Sequence, residues 1–276
     1  MFSGKLIAEY TLVASSSDKA SLTMYNALLN LDNFIPTGDS YHGSPIFVYQ
    51  NVNLVLSKMK GIFLTDLDEF FAPQSYIFLS KHRSESGSPT LTAHFTGNFS
   101  DNVVYGGNPR EIAWTDPMLL KAYFTRLWSQ RENLSKYDII LEATHHGPTS
   151  LSRPCMFVEI GSKDQEWEDN ETADLVVRVL LEAISNQTPA EKVGLGIGGP
   201  HYSRKFTKLI LSDGLSLAGY IPKHSLINTD DGIILQALEK TVEKIDYAFV
   251  DWKGLGSEKQ RIIELLEKYE LQIQRI

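Results

Sequence analysis

The chain has 276 residues, 42% hydrophobic and 22% charged, enough for one large α/β domain or two small ones. No apolar run approaches the ~18–20 residues of a membrane span, the start MFSGKLIAEYTLVASSS lacks a signal peptide's apolar core, and a single Cys155 excludes an intrachain disulfide framework or a cysteine-rich zinc module. The net charge of −8 weighs against a general nucleic-acid binder, but six acids sit in DQEWEDNETAD (164–174), so the rest of the chain carries 34 − 6 = 28 acids against 26 bases and leaves room for a local basic surface.

Strand-like runs recur along the chain at 5–14, 51–58, 75–81, 91–97, 137–144, 155–161, 192–199 and 246–252. Helical spacing predicts helices near 17–30, 115–134, 171–186, 231–243 and 256–269. In the last of these, Ile262, Ile263, Leu265, Leu266 and Tyr269 share one face with charges opposite. The acidic run precedes the apolar stretch LVVRVLLEAI, where acids suit the positive end of a helix dipole. Strands alternating with helices predict a mixed, mostly parallel central sheet covered on both faces, a three-layer α/β/α sandwich. No repeat, low-complexity tract or Pro/Gly-rich linker divides residues 1–276, which read as a single domain.

In open α/β sheets, ligands bind beyond the carboxyl ends of the strands. Four predicted strands end in unusual polar chemistry: SYIFLSK enters HRSESGS, YDIILEAT enters HHGPTS, KVGLGIGG enters PHYSRK, and DYAFVDW enters KGLGSEK. Parallel strands would bring all four ends to one edge. His145 and His146 are the sharpest feature. Adjacent side chains on a strand point to opposite faces, but the Gly147-Pro148 corner ends the strand and lets the two imidazoles converge. Glu142, Thr144 and Thr149 flank them.

The stretch GLGIGGPHYSRK formally matches the dinucleotide fingerprint at Gly194, Gly196 and Gly199. It lies late in the chain, Pro-His follows, and no acid stands at the expected offset, so close backbone approach explains the glycines better. His201, Arg204 and Lys205 follow them. A third block, 79–98, carries Lys81, His82, Arg83, Ser84 and His94, a density of bases and hydroxyls suited to phosphate or sugar. In VDWKG, Asp251 could orient a histidine or bind a cation and Lys253 could meet a phosphate. His42 and His224 read as structural or solvent-exposed, and Cys155 as a buried thiol.

Taken together, KHRSESG…LTAHFTGN, EATHHGPTS, GIGGPHYSRKFT and VDWKG resemble the archaeal and plant type of D-aminoacyl-tRNA deacylase, also called D-tyrosyl-tRNA deacylase. The resemblance runs from the first strand to the last helix, with the four blocks in the family's order. It implies a phosphorylase/hydrolase-like fold, a zinc requirement, and a cytoplasmic hydrolase that frees tRNA from a D-amino acid. Ester hydrolysis needs an attacking water, a base or metal to activate it, and donors for the oxyanion. His145, His146 and Glu142 are the first zinc ligands to consider, with His94 and Asp251 further candidates, and His145, His146, His201, Glu142 and His82 the catalytic ones. Amides of Gly198 and Gly199 would serve the oxyanion or terminal ribose, with Ser84, Thr144 and Thr149 beside the substrate. Lys81, Arg83, Arg204, Lys205 and Lys253 would hold phosphates of the acceptor end. No obligate protein partner is evident, and the chain reads as a monomer. Two other readings stay open: a metal-free peptidyl-tRNA hydrolase-like or phosphorylase-like enzyme, and a non-catalytic module for the tRNA end.

Overall fold

The computed structural model describes residue 6, residues 8–187 and residues 189–276. In chain order the elements are β1 (Tyr10–Ser15), α1 (Lys19–Leu29), β2 (Ile35–Tyr41), β3 (Ser44–Tyr49), β4 (Val52–Ser57), α2 (Leu67–Phe70), β5 (Ser75–His82) and β6 (Thr90–Phe95). There follow α3 (Pro117–Ser129), β7 (Asp138–Leu141), β8 (Cys155–Gly161), α4 (Asp164–Trp167), α5 (Asn170–Ser185), β9 (Lys192–Ile197) and α6 (Arg204–Ile210). The chain closes with β10 (Leu215–Ile221), α7 (Asp231–Glu239), β11 (Tyr247–Val250), α8 (Lys259–Lys268) and β12 (Gln272–Arg275).

The mixed, mostly parallel sheet flanked by helices is present, in the order β2-β3-β4-β1-β5-β8-β6-β7. A second sheet, β10-β9-β11-β12, is parallel throughout. The expected strand over 5–14 begins at Tyr10; Lys5 and Ile7 lie outside the described residues. Local sequence explains the helix starts. Asp18, Asp116, Asp169, Ser203 and Asp230 each accept a backbone N–H of the first turn they precede. The acidic run is absorbed in this way: Asp169 caps α5, Glu166 takes the N–H groups of Ser162 and Lys163, and Asp164 and Glu168 pair with Lys19.

The expectation of one common carboxyl edge is corrected by β6. This strand lies antiparallel to β8, and β7 runs parallel to β6, so β7 points opposite to β5. The carboxyl ends of β5 and β7 therefore lie toward opposite edges of the large sheet. What brings their residues together is the face they share. Register sets Ser80, Glu159, Thr92 and Ile140 side by side, with His82 and Gly161 one step to one side and Phe78, Phe157 and His94 one step to the other. The alternate residues, including Ile77, Leu79, Met156, Val158, Ile160, Leu91, Ala93 and Leu141, pack on the opposite face against α1, α3 and α5. One face of these four strands packs against helices; the other begins in a second apolar cluster around Tyr76, Phe78 and Phe157 and passes into acids, imidazoles and hydroxyls.

A stability consequence arises away from this face. Glu243, between α7 and β11, has a buried carboxylate oxygen without a hydrogen-bond partner. Burial, and secondarily the Asp116 carboxylate, push its pKa from 4.5 up to about 7. Because the folded value is raised, this group's contribution is fully present below about pH 4.5 and lost as pH rises through about 7. Glu243→Gln should therefore raise Tm at pH 8 by ~2–4 °C, about 1 kcal/mol after discounting for partial solvent screening. Little change is expected at pH 4. Calorimetric scans at both pH values check this, and an equal gain at both would contradict it.

Candidate active site

Five of the seven histidines gather on the polar sheet face, where the large sheet meets the small one. The seam is stitched by backbone. Beyond β7, Ala143 N–H donates to His201 O (3.0 Å), Thr144 N–H to Tyr220 O (3.1 Å) and Ser203 N–H to Leu141 O (3.4 Å). The predicted strand over 137–144 thus ends at Leu141, and the remainder joins the two sheets. The Tyr220 hydroxyl, 3.0 Å from Pro200 O and 2.5 Å from His201 O, holds the loop that carries His201.

The histidine pair converges as its turn demands. His146 adopts a left-handed φ of 44°, a conformation that non-glycine residues rarely keep without cause. This breaks strand alternation and brings the His145 and His146 rings to 4.3 Å, with His94 4.1 Å from His145 and 4.8 Å from His146. Each ring has its Nδ1 against a backbone carbonyl: His94 on Phe95 (3.0 Å), His145 on Ala143 (2.8 Å) and His146 on Gly147 (2.7 Å). Donation from Nδ1 leaves the three Nε2 lone pairs as ligand atoms, the arrangement by which proteins orient metal-binding imidazoles. The buried Nε2 of His94 has no hydrogen-bond partner.

Beside this trio lies a carboxylate–imidazole network. His201 Nε2 is 2.9 Å from Glu142 Oε1, and His145 Nε2 is 3.7 Å from the same oxygen. His82 Nδ1 stands 3.3 Å from Glu142 and 3.2 Å from Glu159. Ligand atoms within each of the sets His94–His145–His146, Glu142–His145–His201 and His82–Glu142–Glu159 lie within 4.8 Å of one another.

Burial opposes charge throughout, yet the partners decide the outcome. It would raise the Glu142 carboxyl, but hydrogen bonds from His201 and His82 hold it well below the usual carboxylate range. It would lower His82, but hydrogen bonds to Glu142 and Glu159 push this imidazole up to about 10. Against the same pull, Glu159 and Glu142 raise His94. His145 and His146 go the other way: burial, reinforced by the neighbouring His94, holds His145 well below its ordinary value and His146 down to about 3. Neutral imidazoles are the form that binds a metal.

Sequence reasoning named His82, His94, Glu142, His145, His146 and His201, and the fold assembles all six. It missed Glu159, a carboxylate inside the apolar run CMFVEIG, although one acid at an interior strand position is a readable signal. It also missed Tyr202, whose ring meets His82 and His201 edge-on at 5.3 and 4.8 Å. His224, taken as structural or exposed, stacks 6.3 Å from His201.

Other predicted residues lie elsewhere. Lys81 alternates with His82, so it points to the helix-covered face, with Nζ 5.1 Å from the Trp167 ring centre. Arg83 lines a separate surface depression with Trp167. Asp251 pairs with Lys205 at 2.8 Å and belongs to none of the three ligand sets. Thr149 is buried; its hydroxyl donates to Glu111 (2.7 Å) and accepts from Asn108 N–H (2.8 Å), so it holds a loop. Gly198 N–H is spent on Ile221 O (2.8 Å), which removes it as an oxyanion donor. Its φ of 88° and the 83° of Gly199 serve a tight turn whose backbone packs on Asp251 and Gly254. Upstream, Gly194 and Gly196 leave room for Phe249, Tyr220 and Phe206, not for a nucleotide.

Ser84 and Arg204, with Lys205, line a cavity of about 500 Å³ that reaches His82 and Tyr202. Arg204 also pairs with Asp138 (3.1 Å). Lys253 and Lys223 line an adjoining one of about 600 Å³. Thr144 borders a third, of about 230 Å³, on the side where His145 and His146 open. Four bases thus stand beside the imidazoles, two of them paired with Asp138 and Asp251.

A family model described as D-aminoacyl-tRNA deacylase matches residues 69–274. Relatives of that name include one from Cenarchaeum symbiosum, 34% identical over 262 residues and covering 95% of this chain and 98% of its own. One from Methanosarcina barkeri is 34% identical over 278 residues, covering 97% and 89%. A solved structure described as a conserved protein of unknown function shares the fold with a TM-score of 0.89 at 25% identity, covering 99% of this chain and 96% of its own. Among the described residues no helix is long and apolar enough to cross a membrane. The family match runs from ahead of β5 into β12 and contains every imidazole and carboxylate of the cluster; the chain belongs to the D-aminoacyl-tRNA deacylase family.

Proposed function

We propose that the protein hydrolyses the ester joining a D-amino acid to tRNA, with a zinc ion held by His94, His145 and His146. The observation that carries the reading is the set of three imidazoles with Nδ1 tied to carbonyls and ligand atoms within 4.8 Å of one another, beside the Glu142–His201 pair. The donor set suits the metal: nitrogen ligands, two of them held neutral, and an orphaned buried Nε2. Bound there, zinc supplies Lewis-acid polarisation of the ester carbonyl and charge against the developing oxyanion.

Glu142 orients His201. Its carboxylate accepts from Nε2–H, which leaves Nδ1 as the basic nitrogen that takes the proton of the attacking water and returns it to the departing ribose oxygen. His82, protonated between Glu142 and Glu159, keeps both carboxylates ionised and fixed. Arg204, Lys205, Lys223 and Lys253 hold the phosphates of the acceptor end.

The test is turnover of D-Tyr-tRNA before and after chelation. Activity should disappear with the metal and return with added zinc. Full turnover by a protein stripped of metal would leave His201 acting without it. Turnover of N-blocked L-aminoacyl-tRNA in place of the D-substrate would instead point to a peptidyl-tRNA hydrolase-like activity.

A further inference from the structure

The substrate of such an enzyme is polar along its length: a phosphodiester chain, then the terminal ribose and its ester, then an amino-acid side chain. The surface around the imidazoles is polar in the same sense. Two larger cavities share Pro200 and Asp251 and are lined by Arg204, Lys205, Lys223 and Lys253, with Asp138 and Asp251 among them. The smallest of the three, about 230 Å³, meets the second of these at His224 and is bounded by His145, His146, Asn98, Phe99, Tyr105 and Asn228; among the described residues it is lined by no Lys, Arg, Asp or Glu. A polyanion has no counter-charge there.

Exposed apolar side chains border the neutral pocket. Ile227 (72% exposed), Val104 (71%) and Tyr105 (69%) are the most exposed large hydrophobic side chains among the described residues; Tyr105 lines the pocket, and Val104 and Ile227 neighbour lining residues in the same two segments. The Tyr105 backbone is anchored. Its carbonyl accepts from Gly147 N–H (3.1 Å), next to His146, while Asn98 Nδ2 donates to Gly106 O (2.8 Å) and Asn108 O (3.1 Å). Gly106, at φ 80°, packs so closely that a Cβ would stand 2.0 Å from Ile62 O. An aromatic side chain left in water on an anchored backbone beside the imidazoles is a ready contact surface.

We propose that the neutral pocket receives the D-aminoacyl group, and that Tyr105 and Ile227 set which side chains are preferred. This rests on the deacylase reading above. With phosphates in the cavities lined by Lys and Arg and the ester at His145, His146 and His201, the group beyond the ester reaches the one of the three that offers no charged side chain. Tyr105 then stacks on an aromatic or apolar side chain and offers little to a methyl group.

The experiment compares kcat/KM for D-Tyr-tRNA and D-Ala-tRNA in the wild type, Tyr105→Ala, Tyr105→Phe and Ile227→Ala. Deacylated tRNA serves as a competitive inhibitor throughout. Tyr105→Ala should lower the D-Tyr to D-Ala ratio roughly 10-fold and leave inhibition by deacylated tRNA unchanged. Ile227→Ala should lower the ratio as well, and Tyr105→Phe should retain it. Equal losses on both substrates with weaker inhibition by deacylated tRNA would overturn the proposal, placing a nucleotide base on Tyr105. An unchanged ratio would overturn it too. A wild type inactive on both substrates would mark failure of the deacylase reading itself. Because Tyr105 and Ile227 are exposed, these variants keep the fold.

Discussion

Replacing His146 by asparagine is expected to leave a folded protein that binds tRNA and deacylates it at least ~10²-fold more slowly. The fold survives for two reasons. The imidazole is not part of a hydrophobic cluster, and asparagine is among the residues that best tolerate the left-handed φ of 44° found here. On the proposed reading the variant loses one of three zinc ligands, so bound zinc is expected to fall together with kcat while KM stays near its original value. Single-turnover deacylation of D-Tyr-tRNA and elemental analysis of the purified variant check the two halves separately. Near-normal turnover would make the turn a structural corner and leave the chemistry to His201 and Glu142.

The second large effect is on stability. Glu159→Gln removes one of two carboxylates that hold the buried His82 imidazolium and the counter-charge nearest His94. Stripping one partner from a buried charged network costs about 3–5 kcal/mol, which in a chain of this size lowers Tm by roughly 10 °C. Adding His82→Gln should recover part of the loss, because the uncompensated imidazolium goes with it. A coupling of ~0.5–3 kcal/mol is expected from the double-mutant cycle in urea. A single variant melting within 2 °C of wild type would mean that Glu142 alone satisfies His82.

The chemistry of the site was legible because histidine is rare in this chain and five of seven copies stand where strands meet loops. The left-handed turn at His146 was foreshadowed by Gly147-Pro148. Strand order was not legible. Nothing local to TLTAHF says that it lies antiparallel between β8 and β7, since pairing is chosen by distant partners. That one reversal changed a cleft at a sheet edge into a site on a sheet face. The same gap explains Lys81: without knowing which parity faced the helices, neighbouring Lys81 and His82 could not be assigned to opposite sides. The second sheet went unseen because the run LSLAGYI, after an Asp-Gly turn, was not recognised as its edge strand.

The two-sided character of β5, β8 and β6 also governs how the protein can change. Along β8, substitutions at Met156, Val158 and Ile160 disturb packing against helices, while on the other face Phe157 disturbs its stack on Phe78 and Glu159 the carboxylate–imidazole network. A library covering these strands should lose soluble protein at both parities, by cavities on the helix-covered face and by stripped charge pairs or lost ring stacking on the other. Remodelling toward a new acyl substrate then has little room on the strands. The exposed positions of the loops at 99–107 and 224–228, such as Val104, Tyr105 and Ile227, are where such a lineage is free to move, while Phe99 and Leu226 stay in the core.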